Sequence, residues 1–282
     1  MTTVLATESF GTEAVLRREV RQPGEASALG VLQEAATVGI AGGGGEVGQI
    51  AEARAGQGRT WRLYVNGALE RRPPAQVPVR PGDHVWFDLH PRDAPPSRAV
   101  TGAFPAPFTT GLGGERIPTR VECVMPGDQP CETVTRALTA RGVAAGSGGV
   151  GNSVANATLR VLVGPWERLR NADAASEAIR AGPRASGVYA TFSADARALS
   201  LLTPGGEVGR TLRNGTGLVA VTSVGEREPT WFVTGTDARG VAAAAAAFGS
   251  GAISGRFAVA AAGGAPIALP LATGRPPDTA ME

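Results

Sequence analysis

Trp61-Arg62-Leu63-Tyr64-Val65-Asn66-Gly67 and Pro81-Gly82-Asp83-His84-Val85-Trp86-Phe87-Asp88-Leu89-His90 decide how the first third of this chain folds. The first segment reads as a strand entering a tight turn, because Asn-Gly supplies the two positive-φ positions of a type I′ hairpin. The second reads as a bend at Gly82-Asp83 that feeds a strand of alternating character. Successive side chains on a strand point to opposite faces. Val85, Phe87 and Leu89 therefore share a face, as do Trp61, Leu63 and Val65, and both sets read as core against a helix. His84, Trp86, Asp88 and His90 turn the other way, with Arg62 and Tyr64. If the strands are neighbours, these residues gather on one outer face, either presented to a ligand, covered by a second domain, or solvated. Arg62, Tyr64, Asn66, Trp86, Asp88 and His90 are the candidate ligand-binding residues.

Both histidines of the chain lie on this strand. His84 and His90 are six residues apart, about 20 Å along a strand, too far for one ion. No metal site is assigned, and no cofactor.

Upstream, residues 3–21 alternate as two strands about a Gly11-Thr12 turn, and Pro23-Gly24 ends them. Ser27 is placed to cap a helix reaching about Ala36, with Leu29, Leu32 and Ala36 on its buried face. Gly43, Gly45 and Gly48 then spell G-x-G-x-x-G. A dinucleotide site needs a strand before this loop, a helix after it and an acid about 20 residues on. Gly56 and Gly58 interrupt the following segment, and the next strand ends in Asn66, so a glycine-rich turn between helix and strand is the preferred reading. A nucleotide-dependent enzyme using Gly43–Gly48 is the alternative.

Downstream, residues 93–118 are rich in proline and glycine, and Phe104 and Phe108 can dock this segment as an ordered strap. Residues 119–273 read as an α+β sandwich with helices on one face. Strands are expected at 121–124, 159–163, 188–192, 198–202, 218–221, 231–233 and 257–260. Helices are expected at 131–140, 166–180 and about 237–248, with a loop over 147–156. Residues 274–282 read as a flexible tail. Thr234-Gly235-Thr236-Asp237 precedes the last helix, a place for an anion or simply a cap.

The chain has 282 residues, enough for two domains, and 43% of them are hydrophobic, which excludes disorder by composition. Every basic residue is arginine, interspersed with acids, for a net charge of only +2. That balance argues against a nucleic-acid partner. The most apolar late stretch, Phe257–Ala272, falls short of the roughly 20 residues a membrane helix needs. No signal peptide is visible at Met-Thr-Thr-Val. Cys123 and Cys131 have no further metal ligands nearby, and a small disulfide loop is favoured over two buried thiols; it requires an oxidising compartment. No histidine lies in the second half to serve Ser186 or Ser250, and no carboxylate pair stands out, so an enzyme is not expected.

Trp61, Tyr64-Val65-Asn66-Gly67, Gly82-Asp83 and Val85-Trp86, preceded by the Leu29/Leu32 helix, resemble the transcobalamin C-terminal-like family of exported and cell-surface bacterial proteins over residues 1–92. The later text is similar to that of actinobacterial proteins carrying this module behind a secretion or lipoprotein leader. The resemblant stretches are Phe104-Pro105-Ala106-Pro107-Phe108, the cysteine pair, Val163-Gly164-Pro165-Trp166 and Trp231-Phe232-Val233-Thr234-Gly235. The resemblance implies a β-grasp-like module, ligand binding, and an extracellular or cell-envelope location, with membrane attachment only through a lipid anchor on a removed leader. In transcobalamins this domain covers one side of a corrinoid held mainly by an α-barrel, and no such barrel is legible here. The resulting expectation is a non-enzymatic envelope or secreted protein binding a small molecule or surface component. A purely structural envelope protein is a third reading, and it expects no pocket beside Trp86.

Overall fold

The computed structural model describes residues 1–41, 45–56, 58–151, 157–225 and 227–272. The chain begins with β1 (Thr2–Glu8), β2 (Glu13–Val20), β3 (Ala26–Ser27) and α1 (Ala28–Ala35). β4 (Val38–Ala41), β5 (Glu46–Ile50) and β6 (Ala53–Arg54) form a small antiparallel sheet. β7 (Arg59–Val65), β8 (Ala68–Glu70), β9 (Pro78–Val79) and β10 (His84–Pro91) complete the first unit.

Its main sheet runs β2-β1-β10-β7-β8, with β1 parallel to β10 and the other pairs antiparallel. Asn66 and Gly67 have φ of 50° and 81°, as the type I′ turn requires. Alternation sorts the faces as the pattern dictates. Leu63, Val65, Val85 and Phe87 join Val4, Val31 and Leu32 in one core, under α1. The Ser27 hydroxyl accepts from the Gly30 amide at 3.0 Å and starts that helix.

The glycine-rich stretch departs from expectation. It links β4 to β5 as a strand-to-strand connection, not a helix-to-strand turn. Strand β5 follows it, where a dinucleotide fold needs a helix; Gly43 itself lies outside the described residues.

Residues 93–118 cross between the units as an ordered strap. Leu69 N donates to Arg98 O and Val100 N to Gly67 O on the first unit. Ser97 Oγ donates to Gly187 O at 2.8 Å and Thr101 Oγ1 to Arg256 O at 2.9 Å on the second. Near the end, α2 (Ala106–Thr109) seats Phe108, with Phe104, against Trp231.

The second unit opens with β11 (Thr119–Cys123), α3 (Gln129–Thr139), β12 (Ala145–Gly149) and β13 (Leu159–Pro165). Three short helices follow: α4 (Trp166–Leu169), α5 (Ala174–Arg180) and α6 (Pro183–Ser186). A three-stranded meander, β14 (Ala190–Phe192), β15 (Leu199–Leu202) and β16 (Val208–Leu212), comes next. β17 (Gly217–Thr222), β18 (Thr230–Gly235), α7 (Ala238–Ser250), β19 (Ala258–Ala261) and β20 (Ile267–Leu269) close the fold.

The large sheet has seven strands, ordered β12-β11-β13-β18-β17-β19-β20, parallel as far as β18 and antiparallel after it. α3 and α7 cover one face through Val134, Leu138, Val241 and Phe248. The other face carries Leu162, Leu218 and Phe232, and packs against α4, α5, the meander and the first unit together. Helices therefore lie on both faces, not one.

Two further expectations needed correcting. Residues 147–149, the first part of the loop expected over 147–156, belong to β12, parallel to β11. Glycine suits this edge: a Cβ on Gly148 would lie 2.4 Å from the Arg120 guanidinium. The single helix expected over 166–180 is split, because Asp173 accepts from Ser176 N at 2.9 Å and starts α5 afresh. The described chain is thus α+β throughout, and none of its helices is long and apolar enough to cross a membrane.

Candidate functional site

The six candidate residues share strands but not surroundings. Tyr64, Trp86, Asp88 and His90 are each 1% exposed or less, sealed where the two units meet. Phe257 from the second unit inserts among them, with ring centroids 5.2 Å from Trp86, 5.5 Å from Tyr64 and 6.0 Å from His90. The outer face is thus covered by the second unit.

Asp88 is the hub of this seam. Its Oδ1 accepts from Thr7 Oγ1 at 2.6 Å and Gly11 N at 2.8 Å. Its Oδ2 accepts from Phe10 N at 3.1 Å and His90 Nδ1 at 2.7 Å. Thr7 Oγ1 in turn accepts from Trp86 Nε1 at 2.7 Å. Ser9, Phe10 and Gly11 all have positive φ, 57°, 62° and 80°, so the turn after β1 presents successive amides to one carboxylate. That turn carries Phe10, whose ring stacks on His90 at 4.4 Å. Burial, and then the Asp88 charge, pushes the Tyr64 hydroxyl well above its ordinary pKa, and the same two causes raise Tyr189. Neither phenol ionises at physiological pH.

Asn66 is equally occupied. Its amide nitrogen donates to Asp83 Oδ1 at 2.7 Å and Gly111 O at 2.9 Å, and its oxygen accepts from His84 N at 2.8 Å. It is a turn residue whose side-chain nitrogen and oxygen are both engaged.

Arg62 is different. Together with Trp61 it lines an open groove of about 690 Å³, whose wall includes Leu63, Phe87, Arg71 and Arg92. Trp61 Nε1 and Arg62 Nε are both buried and have no hydrogen-bond partner among the described residues. Buried donors without acceptors are uncommon and each costs about 1–3 kcal/mol. A side-chain rotation that turns either donor toward the groove would let a ligand's acceptor relieve that cost. Sequence reasoning found Arg62 but placed Trp61 wholly in the core. The missed signal is Pro73-Pro74, which cuts β8 short and leaves the start of β7 as an edge.

A smaller hollow of about 250 Å³ lies between the first unit and the strap, lined by Arg17, His84, Phe104 and Thr109. His84 Nδ1 is buried there without a partner. Burial, aided by Arg17, lowers the imidazole to a pKa of about 4, so the ring is neutral at pH 7. Trp86 lines none of the hollows described here.

Cys123 and Cys131 are joined in a disulfide, Cα atoms 6.0 Å apart, tying the end of β11 to the first turn of α3. Together with the lack of a spanning helix among the described residues, the bond fits a secreted or envelope protein. The 234–237 junction is a cap: Asp237 accepts from Gly240 N at 2.9 Å and Gly215 N at 2.7 Å, and Thr236 bonds the Thr216 backbone. Comparison with protein-family models, curated proteins and solved structures gives no match.

Proposed function

We propose that this chain is a non-enzymatic, exported or envelope-located binding protein whose ligand occupies the groove beside Trp61 and Arg62. The observation that carries the reading is the pair of buried donors, Trp61 Nε1 and Arg62 Nε, left without acceptors on the largest groove described. The β2-β1-β10-β7-β8 order around a central parallel pair, with α1 across it, supports a β-grasp-like module. The disulfide supports the oxidising location. In this reading Tyr64, Trp86, Asp88 and His90 join the module to the second unit, and that unit is its rigid base.

A thermal-shift screen of the purified chain against corrinoids, nucleotides, divalent metals, cell-wall glycans and carboxylate-bearing peptides tests this. A ligand at a hundred times its Kd adds about 2.7 kcal/mol to the folded state and raises Tm. W61F and R62Q are each expected to reduce that rise without lowering the unliganded Tm. A panel that moves nothing at millimolar concentration, or a shift indifferent to both variants, overturns the assignment.

A further inference from the structure

Resting on the groove assignment, we infer that the groove takes an extended acidic peptide, added as a further strand along the free edge of β7. The edge is defined by register. Asn66 N donates to His84 O, so Asn66, Tyr64, Arg62 and Thr60 turn their main-chain groups toward β10. Val65, Leu63 and Trp61 turn theirs the other way. β8 pairs with Leu63–Val65 and ends at Glu70, and Arg59 N is taken by Gly56 O in an isolated bridge, so Thr60–Arg62 have no strand on that side among the described residues. Arg71-Arg72-Pro73-Pro74 follows; two consecutive prolines lack the amides to continue the ladder. The Trp61 main-chain N–H and C=O are thus the next rung, on the side of the groove. Main-chain pairing of this kind supplies affinity, and pockets for alternate side chains supply selectivity.

The groove also sets the chemistry of those side chains. Leu63, Phe87 and Val47 offer apolar contacts beside Trp61. Four arginines line it, Arg62, Arg71, Arg72 and Arg92, against Glu46, Glu70 and Asp93. Arg72 is held by Glu70 at 2.9 Å, while Arg62, Arg71 and Arg92 make no ion pair among the described residues. The unmatched charge is positive. Arg62 and Trp61 point to opposite faces of β7, so the acidic positions of an added strand meet Arg62, whose Nε lacks an acceptor, while the intervening positions meet the apolar contacts beside Trp61. A peptide alternating Asp or Glu with aliphatic residues meets both requirements.

The test uses the full chain, uniformly ¹⁵N-labelled, and a pool of end-blocked hexapeptides alternating Asp/Glu with Val/Ile/Leu. Parallel pools carry Lys/Arg in place of the acids, or N-methyl groups on alternate residues in both registers. Citrate and inorganic phosphate serve as small-anion probes. The acidic pool is expected to slow exchange of the Trp61 amide at least tenfold and to shift the Trp61 indole signal. The N-methylated pools should lose the amide protection, and the basic pool should bind at least tenfold more weakly. W61F should retain the amide protection at reduced affinity, separating the rung from the side chain. Citrate or phosphate moving the indole and Arg62 signals, with the acidic pool leaving the Trp61 amide unprotected, overturns strand addition but leaves the groove as a binding site. If no probe here or in the thermal-shift panel moves the groove signals, both readings fall.

Discussion

Asp88 on β10 and Arg62 on β7 sit directly opposite each other in register, yet they live in opposite circumstances. Asp88 is fully buried and receives four hydrogen bonds from Thr7, Phe10, Gly11 and His90. Arg62 is half-buried beside an open groove, and its Nε has no acceptor. A buried charge whose every lone pair is taken is part of the architecture. A buried donor left empty beside open space is a place where another molecule can improve the energy. The contrast separates two kinds of polar residue that a strand pattern alone presents as one surface.

The largest test of the contrast removes the hub. Asp88→Ala strips the acceptor from two backbone amides, a threonine and a histidine in a buried seam. The expected cost is about 4 kcal/mol, read from the urea midpoint. A cost below about 1 kcal/mol would mean that Asp88 is no hub, since charge-assisted bonds alone exceed that. Next comes the fit of the seam. A Cβ at Gly102 would lie 2.5 Å from Trp86 Cζ3 and 2.7 Å from Arg256 N, so Gly102→Val should cost about 3 kcal/mol by overpacking. A near-neutral result in thermal unfolding would show a loose seam and weaken the division drawn here.

His84 is an intermediate case: half-buried like Arg62, with an Nδ1 that, like Arg62 Nε, is buried without a hydrogen-bond partner among the described residues. Its folded pKa of about 4 lies below its ordinary 6.5. As pH falls from the upper value toward the lower, the unfolded chain binds the proton first, and stability declines through that window. The decline attributable to His84 is about 2 kcal/mol, and His84→Gln should remove it from the pH profile. Matching profiles for both proteins would show that the ring is solvated. The smallest losses belong to the groove: W61F and R62Q each remove a buried donor without an acceptor, so neither should lower stability by more than about 0.5 kcal/mol. Losses above about 2 kcal/mol there would reassign Trp61 and Arg62 to the architecture.

Much of this arrangement is written in local pattern. Asn66-Gly67 fixes the β7–β8 turn, alternation on β7 and β10 sorts core from outer face, and Ser27 marks the start of α1. Cys123 and Cys131 lie close enough in sequence for their pairing to be read directly. Features that depend on distant segments are another matter. β12 is a strand because β11 offers it an edge, and its glycines carry no preference that announces this. The Asp88 face is closed by Phe257, a residue 169 positions further on, so no inspection of β10 could tell covered from open. The groove is a property of strand order: where β8 stops relative to β7 decides which residues are left at an edge.

The strap between the two units has a practical consequence. Its hydrogen bonds alternate between them, to Gly67 and Leu69 on one side and to Gly187 and Phe257 on the other. The first ninety-odd residues are therefore no portable cassette. Cut free, they would carry Phe10, Tyr64, Trp86 and His90 as a bare aromatic plate seeking another surface. A graft or truncation that respects the molecule has to move the whole chain through β20, and a variant library built on the isolated module would select for hiding that plate before it selected for anything at the groove.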